Sequence, residues 1–498
     1  MSALPLPSVV LAGGVGLGVI GNALLRAPGA PALNLFVWSA AVAAATVLLH
    51  RRSGRGLSTE ATAALALGIV YAAGLVWRDS PALKLTAIGG TAVCFAVPAF
   101  RAGAAWLRSS RVLEYVAALA TTGLYTAFGG ALVVLDASRV APRRHPSRPT
   151  QWTHAVAVAR GLALAVPLVV VFGGLFMSAD AVFAGIVTDV VRVDLDTVAS
   201  HIVLTAFLAW IAAGYLRGSL TTSGVPAVLA ERRAGLTITE LGTAMALIGL
   251  LFLAFVLVQF RYLFGGSELV HVTPGLTYAE YARRGFFELV AVVALMLPLL
   301  LAADWLLRRH RRSDEAVFRG FALVQIVLVL VVLASALQRM RLYQLTYGLT
   351  ELRFYVTATL ILLGLVLVWF TVTVLRGRRE LFAFGTLIVT LSAGAALHAV
   401  NPDAVIARTN IARAHAGVGG VPRFDVVYAT SLSADAVPVL LDALPGLTPD
   451  ARCRSARRLL ERWDPGARTP LRTWNWSESR ARRAVSEQQH RLRELACR

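Results

Sequence analysis

The chain has 498 residues, of which 57% are hydrophobic and only 15% charged, with a formal net charge of +20 and a mean hydropathy of +0.67. An ordinary soluble domain carries about 25% charged residues, so the composition excludes one. The charge is almost wholly arginine, Lys84 being the only lysine, and it clusters between apolar runs with no stripe of interleaved aromatics, which excludes a nucleic-acid partner and favours cytoplasmic loops of a membrane protein.

In hydrocarbon each backbone N–H and C=O must be satisfied within its own segment, so apolar runs near the required ~20 residues read as crossing helices. The runs lack the polar-apolar alternation of a transmembrane barrel. Four come first, at 7–25, 33–49, 61–77 and 84–100, and the first lacks the basic flank of a cleavable signal peptide. A further run at 113–135 is long enough to cross. Crossing, however, would put one of the flanking basic clusters outside, either Arg101, Arg108 and Arg111 or Arg139, Arg143, Arg144 and Arg148. Glu114, Thr121, Thr122 and Thr126 interrupt this run and Gly129-Gly130 offers a bend, so it is expected as a re-entrant or interfacial hairpin.

Seven runs follow, at 156–177, 201–217, 238–260, 286–307, 320–338, 354–375 and 382–400. The expected fold is therefore all-α, a polytopic helical membrane protein with about eleven transmembrane helices, the hairpin, and a small C-terminal helical appendage. The arrangement divides into a four-helix region at 1–100, a basic cytoplasmic segment at 101–155, a seven-helix core at 156–401 and a tail at 402–498. Placing the clusters at Arg51, Arg52 and Arg55, at Arg308 to Arg312 and at Arg376 to Arg379 inside puts the N-terminus in the cytoplasm and the tail outside. The arginine bias points to a bacterial plasma membrane.

Helix starts in the tail are expected at Ser433, at Thr448-Pro449-Asp450 and near Ser477. An antiparallel packing of the second and third would bring Cys453 and Cys497 together, and an outside location would let them form a disulfide. Cys94 lies within a span and reads as packing.

Three segments at the expected outer face concentrate acids, arginines and tyrosines. The first holds Arg261, Glu280, Tyr281, Arg284 and Glu288; the second Arg339, Tyr343, Tyr347, Glu351 and Arg353; the third, opening at Asn401-Pro402, holds Asp403 and Arg408. Single tyrosines and arginines at a membrane boundary belong to the usual aromatic belt or snorkel to headgroups. The mixture recurring in three segments, while the loop at 26–32 has almost none of it, points to a shared ligand-binding pocket.

The strings Gln259-Phe-Arg-Tyr-Leu-Phe-Gly-Gly266, Tyr347-Gly-Leu-Thr-Glu-Leu-Arg-Phe-Tyr355 and Asn401-Pro-Asp-Ala-Val-Ile-Ala-Arg408, with Ser178-Ala-Asp-Ala-Val-Phe183 upstream, resemble a large bacterial family of polytopic membrane proteins known only as a domain of unknown function. The likeness runs over 156–445, with Thr409 where that family usually has an aromatic. It implies the architecture and carries no activity, cofactor or metal.

The expected function is a non-catalytic, multi-pass membrane protein that binds an anionic envelope ligand, a lipid headgroup or a partner protein at its extracytoplasmic face, with membrane lipid as a further partner. One alternative is a transporter or lipid flippase without a deep ion-coupling site, since the spans are nearly bare of ionisable groups. Another is a membrane enzyme acting on a phosphate-linked lipid, with Glu280 or Glu351 as acid or base. The zinc, nucleophile-elbow and phosphate-loop motifs are absent from the sequence.

Overall fold

The computed structural model describes residues 6–26, 29–54, 56–99, 108, 110–140, 161, 165, 168–169, 172–180, 183, 185, 195–221, 235–264, 286–309, 311–416, 424–464, 466 and 470–496. Among the described residues the apolar body includes the helices α1 Leu6–Leu25, α2 Leu33–Arg52, α3 Thr59–Trp77, α4 Pro81–Ala96, α5 Val112–Val140, α6 Leu195–Thr221, α7 Ile238–Phe264, α8 Phe286–Leu306, α9 Arg312–Tyr347, α10 Glu351–Thr373 and α11 Glu380–Val400. Ten of them are long and apolar enough to cross a membrane, and α4 is a shorter apolar helix. The fold is all-α and polytopic. Most of the expected span 156–177 lies outside the described residues.

The hairpin expected over 113–135 is corrected. Val112–Val140 is one unbroken helix of 29 residues, long enough to cross. Gly129 and Gly130 serve close approach instead of a bend: a Cβ on Gly129 would stand 3.0 Å from the Gly214 Cα of α6, and one on Gly130 would stand 2.6 Å from the Trp210 ring.

Small residues set the packing of the N-terminal helices throughout. Gly14 and Gly18 of α1 form a small-xxx-small pair facing Ala209 and Ala213 of α6, and a Cβ on Gly18 would stand 2.5 Å from the Thr205 carbonyl oxygen. Lipid tails are as apolar as leucine, so helices in a bilayer associate through such close backbone contact instead of hydrophobic burial. Polar groups add glue: Asn22 Nδ2 lies 2.8 Å from His201 Nδ1, and His50 Nε2 lies 3.2 Å from the Ser219 carbonyl. α7 to α11 build a second core around Met296, Phe318, Ile326, Phe370 and Phe382. Between α7 and α9, Gln325 Nε2 donates to the Met245 carbonyl over 2.9 Å.

The tail is a small helical body: α12 Pro402–Ala416, α13 Val426–Ser431, α14 Val437–Ala443, α15 Pro449–Arg462, α16 Trp476–Glu487 and α17 Gln489–Leu495. Its core joins Ile406, Leu440, Leu459, Val485 and Leu492. Asn401 links it to α11 with φ 58°, a left-handed conformation that asparagine tolerates better than most residues. Its side chain then accepts from the Ala404 N–H (3.4 Å), at the start of α12. The starts at Pro449 and near Ser477 follow expectation, α16 opening at Trp476 with Asn475 as its cap, which accepts from the Glu478 N–H. Cys453 is disulfide-bonded and Cys94 is a buried free thiol; Cys497, the expected partner of Cys453, lies outside the described residues.

The tail rests on the face carrying the α3–α4 loop, the α9–α10 turn and the ends of α11 and α1. The opposite face carries the ends of α2, α8 and α10, where Arg379 bridges Asp304 (3.0 Å) and Glu315 (2.7 Å).

Replacing Gly18 with leucine is expected to force α1 off α6 and cost about 1–3 kcal/mol or more by overpacking. Gly16→Leu, where an added Cβ meets nothing within 4 Å, should be neutral; thermal unfolding of the two detergent-purified variants compares them.

Candidate functional site

The densest polar cluster among the described residues is the seam between the tail and the membrane helices. α3 ends at Trp77 and α4 begins at Pro81, separated only by Arg78, Asp79 and Ser80. A helix end leaves its last carbonyls and first N–H groups without intrahelical partners. The tail supplies them. Asn475 Nδ2 donates to the Leu75 and Arg78 carbonyls, each over 2.9 Å, and Ser477 Oγ lies 2.9 Å from the Trp77 carbonyl. For α4, Asp435 Oδ2 accepts from the N–H groups of Asp79 (2.8 Å) and Ser80 (3.3 Å), a carboxylate at the positive end of a helix.

Charges close the seam. Arg78 Nη1 pairs with Asp435 Oδ1 at 3.1 Å, with the Asp435 side chain fully buried, while Arg78 Nε donates to the His398 carbonyl at the end of α11. Asp79 returns the contact by accepting from the Ala434 N–H over 3.1 Å and pairs with Lys84 Nζ at 2.8 Å. The single lysine of the chain is thus a buried partner. Asp403 accepts from both the N–H and the hydroxyl of Ser433; its other oxygen is buried without a hydrogen bond.

Carboxylates outnumber cations here, and their protonation reflects it. Burial pushes the Asp403 carboxyl above the ordinary range, with the nearby charges of Asp435 and Asp79 adding to the effect against the Ser433 hydrogen bonds. Glu478 is likewise raised, by burial and then by the charge of Asp79. Asp79 itself is also buried, but the charge and hydrogen bond of Lys84, the Ala434 N–H and Glu478 together hold it below the ordinary range.

The residues expected to share a pocket are distributed otherwise. Glu280, Tyr281 and Arg284 lie outside the described residues, as does the side chain of Arg261. Glu288 and Arg339 do come together, lining a cavity of ≈ 380 Å³ with Phe252, Phe255 and Val292. The second segment turns inward to its own backbone. Arg353 lies over the Tyr343 ring at 4.1 Å and donates to the carbonyls of Tyr347 and Gly348, while Tyr343 and Tyr347 pack ring to ring. Arg413 donates to the Leu345 and Thr346 carbonyls, and Asn410 both donates to and accepts from the Leu349 backbone, at 2.8 Å each way. Gly348 between them has φ 80°, and a Cβ there would meet Arg413 and Asn410. The end of α9 is therefore capped by side chains from α10 and α12. Glu351 donates its N–H to the Tyr428 hydroxyl, Asp403 faces Ser433, and Arg408 is exposed. No group of three or more His, Cys, Asp or Glu able to hold a metal occurs among the described residues.

Sequence reasoning missed Arg78, Asp79, Lys84, Asp435, Asn475 and Ser477. The available signal was a charged tripeptide between two apolar runs and a lone lysine one turn into the next.

Removing Asp435 leaves Arg78 without its carboxylate and α4 without its cap, so Asp435→Ala is expected to cost about 3–5 kcal/mol, as for other broken buried pairs, read as early proteolysis or hydrogen exchange of the tail. The raised carboxyls give a second signature. Asp403 and Glu478 favour docking fully below their ordinary values and lose that contribution as pH rises through their raised ones; Asp79 contributes above its ordinary value and loses it as pH falls. Tail protection should therefore decline as pH climbs out of the mildly acidic range, and Glu478→Gln, which mimics the protonated acid, should flatten that decline.

No curated protein and no solved structure matches the chain. One family model matches residues 61–443, from α3 to the end of α14, and so takes in Arg78, Asp79, Lys84, Asp403 and Asp435 but not Asn475 or Ser477. The chain belongs to the family described as Domain of unknown function (DUF4153).

Proposed function

We propose that this chain is a non-catalytic bacterial plasma-membrane protein that binds an anionic, phosphate-bearing envelope ligand through its tail, which lies on the extracytoplasmic face. The observation that carries the reading is how the tail uses its arginines. Residues 402–498 hold sixteen arginines against ten carboxylates. Arg413 and Arg462 are spent on backbone carbonyls, and Arg454 and Arg457 lie within reach of Asp450 and Glu461 on their own helix. Arg408, Arg458, Arg480 and Arg483 are exposed, and guanidinium matches phosphate in bidentate geometry.

Two observations support the orientation and the absence of ion-driven transport. The face opposite the tail carries Arg51, Arg52, Arg308, Arg309 and Arg376 to Arg379 in short connections, the pattern of a cytoplasmic side. Charged residues of the described spans lie near helix ends, where an ion-coupled carrier needs them near the middle.

The test is flotation of nanodisc-embedded protein with phosphatidylglycerol vesicles. Binding that falls with salt, is absent with phosphatidylcholine, and drops at least about tenfold when Arg408, Arg458, Arg480 and Arg483 are changed to glutamine is the expected result. Equal binding by the quadruple variant overturns the reading.

A further inference from the structure

α2, α4, α5 and α6, with Leu75 of α3 and with Leu168 and Phe172, line a half-open cavity of ≈ 1000 Å³, at the upper end of the range for ligand pockets. It is elongated across the membrane body. Its lining begins at Leu35 and Leu75, near the tail-facing ends of α2 and α3, and reaches Ala96 and Leu119 at the other ends of α4 and α5. The aromatic side chains of the wall are Trp38, Phe95, Phe128, Phe172, Phe207, Trp210 and Tyr215.

The polar atoms in this wall are already used. Trp38 Nε1 donates to the Leu17 carbonyl, Trp210 Nε1 to Ala127, and the Tyr215 hydroxyl to Phe95. Ser39, Thr91 and Thr126 each donate to a carbonyl four residues back. Only the Thr122 hydroxyl among the described lining residues is buried without a partner. A polar solute entering such a space would give up its water and recover at most one hydrogen bond, a cost of several kcal/mol. A hydrocarbon chain gives up nothing.

We infer that this cavity is a binding site for one acyl chain of a membrane lipid. Position, shape and chemistry agree on that occupant: the space lies among spanning helices whose surrounding medium is lipid, extends along the helices as an acyl chain does, and presents carbon. The arginines of the tail are not among the described lining residues of the cavity.

Two lining positions are open for filling. A Cβ on Gly123 meets nothing within 4 Å, and Ala92 is exposed on the wall; Gly123→Phe and Ala92→Phe each put an aromatic ring into the space. Gly16 on α1, also open but outside the cavity, provides the control Gly16→Phe. The full chain is reconstituted in phosphatidylethanolamine–phosphatidylglycerol vesicles, re-extracted, washed in detergent and submitted to lipid mass spectrometry. Retention of lipid by the wild type and Gly16→Phe, with a loss of at least fivefold in either filled variant that keeps the wild-type melting profile, is the expected result. A wild type that washes free of lipid, or folded filled variants that retain as much as the control, overturns the proposal. If both filled variants misfold, the same retention is read on wild type after exchange into vesicles carrying brominated acyl chains: quenching of tryptophan emission that survives washing supports the site, and no surviving quenching overturns it.

Discussion

Everything at the tail-facing end of this molecule depends on the exchange of caps between the α3–α4 loop and the tail. Two antiparallel helices joined by three residues leave carbonyls and N–H groups stranded at the membrane boundary. Asn475 and Ser477 accept the first task and Asp435 the second. The obligation is mutual, since Asp79 in that loop satisfies the Ala434 N–H of the tail. Neither partner ends its helices well alone, which is why a body of under a hundred residues can be held in place by so few side chains.

Ion pairs inside such a seam are weak evidence for stability, because desolvation offsets much of their attraction. What Arg78–Asp435 supplies is register, while Lys84 holds Asp79 where it accepts from the Ala434 N–H of the tail. The Asp435 carboxylate, which meets the Arg78 guanidinium, two N–H groups and the hydroxyls of Ser477 and Ser433, fits a single docked arrangement. The excess of acids over bases then makes that arrangement responsive to protonation, through Asp403 and Glu478, without either carboxylate lying within a span.

Helix number and placement were legible in the sequence because hydrocarbon permits little else: nearly every described helix begins and ends within a few residues of its apolar run. The long helix α9 is the main departure, since Arg312–Ala316 and Gln338–Tyr347 continue it at both ends beyond the apolar stretch. The hairpin failed for a physical reason. Gly129-Gly130 was available as a bend, but in a bilayer adjacent glycines as readily mark where another backbone comes close, and the helix runs through them unbroken. The expected pocket is described only in part, with Glu288 and Arg339 lining one cavity and Arg353 turned to its own backbone. Composition placed acids, arginines and tyrosines correctly at helix ends, yet it could not tell an arginine aimed at a ligand from one capping a neighbouring helix, as Arg353 and Arg413 do. Asp435 and Asn475 were invisible because their partners lie some 350 to 400 residues away in sequence.

The two faces of the protein spend arginine in opposite ways, and this orders the whole molecule. On the face away from the tail, Arg379 and Arg309 are neutralised by Asp304 and Glu315 at the junction of α8, α9 and α11, tying three helices together in short connections that leave little room for a ligand. On the tail-facing side Asp403, Asp435 and Glu478 lie in the seam, while Arg408, Arg458, Arg480 and Arg483 are exposed on the tail. Between these two polar ends the body is almost purely apolar, with small residues where helices touch and a hydrocarbon-lined cavity where they do not. Among the described residues charge thus gathers at helix ends and in the seam, and the interior is held by apolar contacts with a few hydrogen bonds such as that of Gln325 to the Met245 carbonyl.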